Sequence, residues 1–301
     1  MWNYDQLPSL TGKNIIITGA SAGLGLASAI ELATKGATIF LCVRSQARGD
    51  EALQKIRAAT DKGVLELAIF DQADLKSIET FAISFKARGI PLDVLLCNAG
   101  IALVPFELIE GVERHLFINH ISHMYLVYLL APLLKSTPKS RLVMVSARAI
   151  DVLRKVPVWE TDNTEASKYS PIFAYAHSKL ANIAFANAMQ EKLGAGVFVN
   201  SIDPGPVVTN ILAGVAKGWL SVATHLATAL LGVSARDGAV NQVYCSAATE
   251  IETLNVHATY FTGRLKAKAV KLANDPKLID SLFNYSEAVI KRVTGAELPT
   301  F

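Results

Sequence analysis

The sequence predicts an α/β fold in which a doubly wound, mainly parallel sheet of about seven strands carries helices on both faces. Three observations predict it. Short β-branched runs alternate with longer amphipathic segments, the short runs are apolar almost throughout, and a glycine-rich turn joins the first run to the first helix. An apolar run without polar alternation is what a strand covered on both faces requires.

Taken in order, residues 14–18, 37–43, 64–70, 93–97, 141–146 and 197–202 are the expected strands, and 258–261 is a last one. Between them, 24–35, 49–59, 75–88, 111–134 and 173–193 carry helical periodicity, as do 235–248 and 276–293 further on. Segment 211–234 breaks the β-α rhythm and is apolar around much of its circumference. A helix of that kind must be buried by protein, ligand or membrane, so it is expected to be a hydrophobic lid over a substrate. Membrane-surface binding is the second reading, weakened by the lack of Lys and Arg on its polar face.

Composition narrows the partners. No Pro/Gly/Ser-rich linker divides the 301 residues, so one domain over 1–301 is expected. Lys and Arg number 29 against 26 Asp and Glu, and a net charge of +3 gives no reason to expect nucleic acid. Apolar residues make up 51% of the chain, which suits a large buried sheet and a small lipophilic substrate. Cys42, Cys97 and Cys245 are far apart and form no CxxC pair, and the N-terminus has no charged-then-apolar leader, so a reduced, cytoplasmic protein is expected.

Directly after the first strand come Thr18, Gly19, Ala20, Ser21, Ala22, Gly23, Leu24 and Gly25, running into a helix. Glycines there allow a tight turn, let main chain approach a pyrophosphate, and seat the helix close to the strand, as in a Rossmann dinucleotide site. Gly19, Ser21 and Gly23 also fit the G-x-S-x-G nucleophile elbow of a hydrolase. An elbow follows several strands and an earlier oxyanion loop, whereas this turn follows the first strand.

Tyr175 and Lys179 stand four apart and so share one helix face. A nearby ammonium favours phenolate, which is expected to lower the Tyr175 pKa towards the general acid/base range. His120 and His123 lack a third ligand at suitable spacing, so no metal is expected. Lys135, Lys139 and Arg141 flank Pro138 and are expected to form a solvated surface.

These motifs together resemble the short-chain dehydrogenase/reductase family, in its retinol-dehydrogenase-like and protochlorophyllide-reductase-like branch, over about residues 10–293. The matching residues are the 18–25 loop, Asp71, the run Asn98, Ala99 and Gly100, Asn119 within 117–120, Tyr175 to Lys179 followed by 180–182, and 204–209. The resemblance implies that Asp71 touches adenine, and that Asn98, Ala99 and Gly100 support the sheet beside the cofactor. It also implies that Pro204, Gly205, Val207 and Thr209 pack on the nicotinamide, and that Ser21 and Leu24 lie in the phosphate loop. Tyr175 would exchange the substrate proton, Lys179 would hold the nicotinamide ribose, and Asn119 would anchor a water in the proton relay.

Cofactor choice is read at the end of the second strand, where Arg44 stands and no acid follows immediately. A guanidinium there suits a 2′-phosphate, so NADP is expected over NAD. One position departs from the family: the carbonyl-binding serine is replaced by Ala147, with Ser146 just before it. Ser146 and Ala147 therefore mark the substrate pocket, and Ser146 faces the wrong way unless the strand bulges. Two functions follow: Tyr175-dependent hydride chemistry with another donor in the serine's place, or a non-redox cyclase, isomerase or binding protein that retains the cofactor site.

Overall fold

Hydrophobic burial on two sides builds the sheet. In the computed structural model, which describes residues 2–162, 164–205, 233–299 and 301, β1 (Asn14–Thr18) contributes Ile15, Ile16 and Ile17, all fully buried. Ile16 joins the apolar cluster on one face, while Ile15 and Ile17 join the cluster on the other. Burial of each such side chain is worth about 1.5–3 kcal/mol, which is why the strand carries no polar alternation.

Around β1 lie β2 (Thr38–Val43), β3 (Val64–Ile69), β4 (Val94–Cys97), β7 (Ser140–Val145), β8 (Val197–Ile202), β9 (Thr259–Thr262) and β10 (Lys266–Ala267). They form one sheet of eight strands in the order β10-β9-β8-β7-β4-β1-β2-β3, parallel except for the antiparallel β9–β10 pair. The sequence predicted about seven strands. The eighth, β10, is a two-residue exposed edge with no apolar pattern to announce it. A separate two-residue hairpin, β5 (Leu108–Ile109) and β6 (Val112–Glu113), precedes the fourth helix.

Helices α1 (Gly23–Thr34), α2 (Gln46–Ala59) and α6 (Val240–Ala247) cover one face, with Leu32, Ile56 and Val243 in its core. On the other lie α3 (Leu75–Ala87), α4 (Arg114–Ser136), α5 (Pro171–Leu193) and α7 (Pro276–Thr294), through Ile78, Tyr125, Phe185 and Leu282. By length and composition α4 could cross a membrane, but most of it is buried in the core. All three cysteines are free and buried.

The strand order reverses between β1 and β4, so the loops leaving these strands diverge and open a crevice at their carboxyl ends. At the opposite edge the expected solvated surface is corrected for Arg141. It is 5% exposed and donates to Glu252 at 2.9 Å and to the Cys245 carbonyl at 3.3 Å. A guanidinium heading a central strand cannot reach solvent, so it takes a carboxylate with it. The lid expected over 211–234 falls almost wholly outside the described residues.

Candidate active site

The crevice floor is a set of hydrogen bonds converging on Thr18 at the end of β1. The Thr18 hydroxyl accepts the backbone N–H groups of Asn98 at 2.8 Å and Ala99 at 2.9 Å, and lies 2.9 Å from His123 Nε2. His123 Nδ1 is 3.0 Å from the Asn119 carbonyl, which can only accept, so the proton sits on Nδ1 and Nε2 accepts from Thr18. Asn98 Nδ2 donates to the Thr18 carbonyl at 2.7 Å, and Asn98 Oδ1 accepts from Gln242 at 3.0 Å. Gln242 in turn accepts from Ser28 of α1 at 2.7 Å. Asn98 thus ties the end of β4 to β1 and, through Gln242, to α6, and Thr18, His123, Gln242 and Ser28 are partners the sequence did not reveal.

Above this floor the glycine loop turns into α1. Gly19 and Gly23 have φ of 65° and 55°, a left-handed region that costs a side chain energy. A Cβ on Gly25 would lie 2.4 Å from the Gly19 carbonyl oxygen, and one on Gly19 would lie 2.9 Å from the Ala99 Cα. Close approach of helix, loop and β4 therefore leaves no room for side chains. No side chain caps α1 at Ala22, so the N–H groups of its first turn, where Leu24 sits, are available to an anion. Ser21 is half-buried within the loop. This cradle fits a dinucleotide pyrophosphate.

Arg44 directly follows β2 and is exposed. Asp71 follows β3 and is half-buried, its carboxylate accepting the Ala73 N–H at 2.9 Å and its own N–H donating to Ser77 Oγ at 3.1 Å. That turn holds the loop beside the crevice. Pro204 and Gly205 leave β8 at the same edge, with the Gly205 N–H on Asp203 Oδ1 at 3.0 Å. Val207 and Thr209 lie outside the described residues.

The other half of the site is built by α4 and α5. Residues Phe117–Ile121 form one π-helical turn inside α4. Asn119 occupies it, its Oδ1 accepting the Ile101 N–H at 2.8 Å and its Nδ2 donating to the Ile101 carbonyl at 2.9 Å and to Ser178 Oγ at 3.0 Å. The Asn119 side chain is a brace between α4, α5 and the loop after β4. Its backbone carbonyl accepts from His123 Nδ1 at 3.0 Å and from Asn182 Nδ2 at 3.1 Å.

Lys179 is 2% exposed and donates to the Val145 carbonyl at 3.1 Å. A Cβ on Gly100 would come within 3.4 Å of Lys179 Nζ and 3.1 Å of Asn119 Oδ1, so these three residues meet. Burial pulls the ammonium down from 10.5 to about 8. Its nitrogen lies 5.7 Å from the centre of the Tyr175 ring. The sequence argument expected Lys179 to lower the tyrosine, and the chain's own groups do the opposite. Burial, and then the carboxylate of Asp203, push the Tyr175 phenol well above its ordinary value.

Ser146 is 1% exposed, and its hydroxyl donates to the Lys179 carbonyl at 2.7 Å. Its N–H continues the ladder to the Ile202 carbonyl at 2.7 Å, so the strand does not bulge there. This serine ties β7 to α5 and is not presented to a substrate. Ala147, the next residue, is extended and half-buried.

Sequence reasoning also missed a buried pair beside the tyrosine. His115 Nδ1 and Glu113 Oε1 are 2.7 Å apart, His115 Nε2 accepts the Val104 N–H at 3.3 Å, and the imidazole meets the Tyr175 ring edge-on at 6.0 Å. Tyr169 closes the group by donating to the Val104 carbonyl at 2.8 Å. Only the sequence closeness of Glu113 to His115 could have hinted at it. His120, by contrast, is fully buried in the core and bonded to Asn182 at 3.1 Å, and no metal-binding cluster occurs among the described residues.

Comparison with known proteins agrees with this geometry. Residues 13–159 match the short chain dehydrogenase family model. The chain is 33% identical to retinol dehydrogenase 12 of Homo sapiens over 283 residues, covering 93% of this chain and 86% of that protein. It is 34% identical to the WW domain-containing oxidoreductase of Gallus gallus over 297 residues, covering 96% and 71% respectively. Among solved structures, a Mycobacterium paratuberculosis protein aligns over 99% of both chains with a TM-score of 0.73 and 28% identity. A Shigella flexneri short chain dehydrogenase complexed with NADP covers 85% of this chain and 98% of its own, with a TM-score of 0.66 and 20% identity. The non-redox reading is not favoured by these relatives. The chain is an NAD(P)-dependent enzyme of the short-chain dehydrogenase/reductase family, in its retinol-dehydrogenase-like branch.

Proposed function

We propose that the enzyme prefers NADP and transfers a hydride between nicotinamide and a lipophilic carbonyl or alcohol, with Tyr175 as general acid/base. The observation that carries this reading is the meeting of Lys179, Gly100 and Asn119 beside Tyr175, at the same strand edge as the glycine cradle. Reduced nicotinamide supplies the hydride when bound. The 19–25 loop would hold the pyrophosphate, Asp71 the adenine side, Arg44 the 2′-phosphate, and Lys179 the nicotinamide ribose.

Tyr175 itself keeps its proton at neutral pH, because burial and Asp203 oppose phenolate. It therefore meets a carbonyl oxygen as a donor and yields its proton as negative charge develops there. Lys179, near 8, carries a proton at neutral pH that could replace the one Tyr175 yields. Lipophilic substrates are favoured by Ile172 and Phe173, 52% and 47% exposed on the helical turn just before Tyr175.

The test is turnover of an aliphatic and aromatic carbonyl panel with NADPH and with NADH, in wild type, Tyr175→Phe and Arg44→Glu. Tyr175→Phe is expected to lose about a hundredfold or more, and Arg44→Glu to move cofactor preference towards NADH by about tenfold. Unchanged turnover in Tyr175→Phe refutes the catalytic assignment. Unchanged preference in Arg44→Glu refutes the cofactor assignment alone.

A further inference from the structure

At the edge of the sheet opposite the crevice lies a cleft of about 290 Å³. Lys13, Asp93 and Arg141 stand at the heads of β1, β4 and β7, strands whose other ends, Thr18, Cys97 and Val145, reach the nicotinamide side. At about 3.3 Å per residue, the strands hold the two sites well apart.

The lining of the cleft is of two kinds. Pro8 and Pro138, with the edges of Leu10 and Val94, contribute apolar surface. Beside them, Glu252 receives both Arg141 and Lys139 at 2.9 Å, two cations on one carboxylate. Lys13 and Asp93 neutralise each other at 2.8 Å, and Asp93 also accepts the Asn14 N–H at 2.9 Å. One positive charge is left over, on the Arg141 side. In the same wall is Ser246, 2% exposed, whose hydroxyl has no hydrogen-bond partner. A buried hydroxyl without a partner is costly unless something completes it.

From these features we infer a second binding site, for a small aliphatic monocarboxylate. Its head group brings the Arg141, Lys139 and Glu252 cluster to neutrality and accepts from Ser246, and its hydrocarbon lies on Pro8 and Pro138 and the edges of Leu10 and Val94. A dianion would leave an excess negative charge beside Asp93 and Glu252, and an alcohol would leave the surplus cation unmatched. The volume is at the lower limit of ordinary ligand pockets, which are roughly 300–1,000 Å³, so the ligand is small.

The experiment is isothermal titration of the full chain with octanoate, octanol and octyl phosphate, in wild type, Lys139→Glu and Ser246→Ala. Lys139 is 68% exposed at its side chain, so its substitution leaves folding intact. Octanoate is expected to bind wild type more tightly than the other two probes, and to lose about tenfold or more in Lys139→Glu and a few-fold in Ser246→Ala. Absence of octanoate binding, equal or tighter binding of octanol or octyl phosphate, or octanoate affinity unchanged in both variants would each overturn the assignment. The last result would place the acid in the lipophilic crevice instead.

Discussion

Lys179→Met should stabilise the protein at neutral pH, and the gain should fade as the solution becomes alkaline. Lys179 is 2% exposed and its ammonium sits at about 8 rather than 10.5. At about 1.4 kcal/mol for each factor of ten in proton affinity, this interval corresponds to about 3 kcal/mol. Between the two values the unfolded chain holds the proton and the folded chain has released it. Stability therefore rises with pH across that window, and below about pH 8 the folded state bears the full cost of burying the charge.

Methionine fills similar space without the charge. The Val145 carbonyl that loses Lys179 still accepts Asn182 Nδ2 at 3.0 Å, so no buried acceptor is orphaned. Urea denaturation of both proteins without cofactor at pH 7, 8, 9 and 10 is the assay. The variant is expected to be more stable by about 2–3 kcal/mol at pH 7, with most of the difference gone by pH 10. A difference that stays constant over this range, or a less stable variant at pH 7, refutes the reasoning.

Gly25→Ala should fold with reduced stability, by about 1–3 kcal/mol, and lose NADPH affinity by about tenfold or more, because its Cβ would meet the Gly19 carbonyl at 2.4 Å; a titration showing wild-type affinity would contradict the cradle. His120 and His123 are held by burial at about 3 and about 4, below the ordinary 6.5. The unfolded chain therefore protonates first, and stability should fall from about pH 6.5 towards pH 4 with a slope near two protons; replacing His123 with Gln should remove about one of them, measured by denaturation at stepped pH. Ala147→Ser should preserve or raise carbonyl turnover, by up to about a hundredfold where the substrate lacks its own donor, and a clear loss of rate would show that position 147 does not face the carbonyl.

What the sequence made legible follows from what each element has to bury. Strands β1, β2, β4, β7 and β8 were within a residue or two of expectation because both of their faces are buried, and the edge strand β3 because it is short, largely aliphatic and bounded by turns. Hairpin β5–β6 and strand β10 were not, since two residues carry no periodicity and their pairing is set by neighbouring strands. The site divides in the same way. Local spacing announced Gly19 to Gly25 and the Tyr175–Lys179 pair. The Ser28, Gln242, Asn98, Thr18 and His123 chain joins residues 214 apart at its first link, and only the closed sheet brings them together. Arg141 was misjudged because charge and a neighbouring proline suggested a surface, whereas its place at the head of a central strand buried it.

Ser146 and Tyr175 together bear on the missing carbonyl donor. The Ser146 hydroxyl is committed to the Lys179 carbonyl, and an unbulged strand gives it no route to the opposite face. Any compensation for Ala147 must come from elsewhere. In the function proposed above Tyr175 would supply it, since burial and the Asp203 charge oppose its ionisation and leave it a hydrogen-bond donor at neutral pH. A protonated phenol both polarises a carbonyl and supplies its proton. The cost of a single donor falls on the transition state, where the lost serine would have been worth about 2.7–4 kcal/mol.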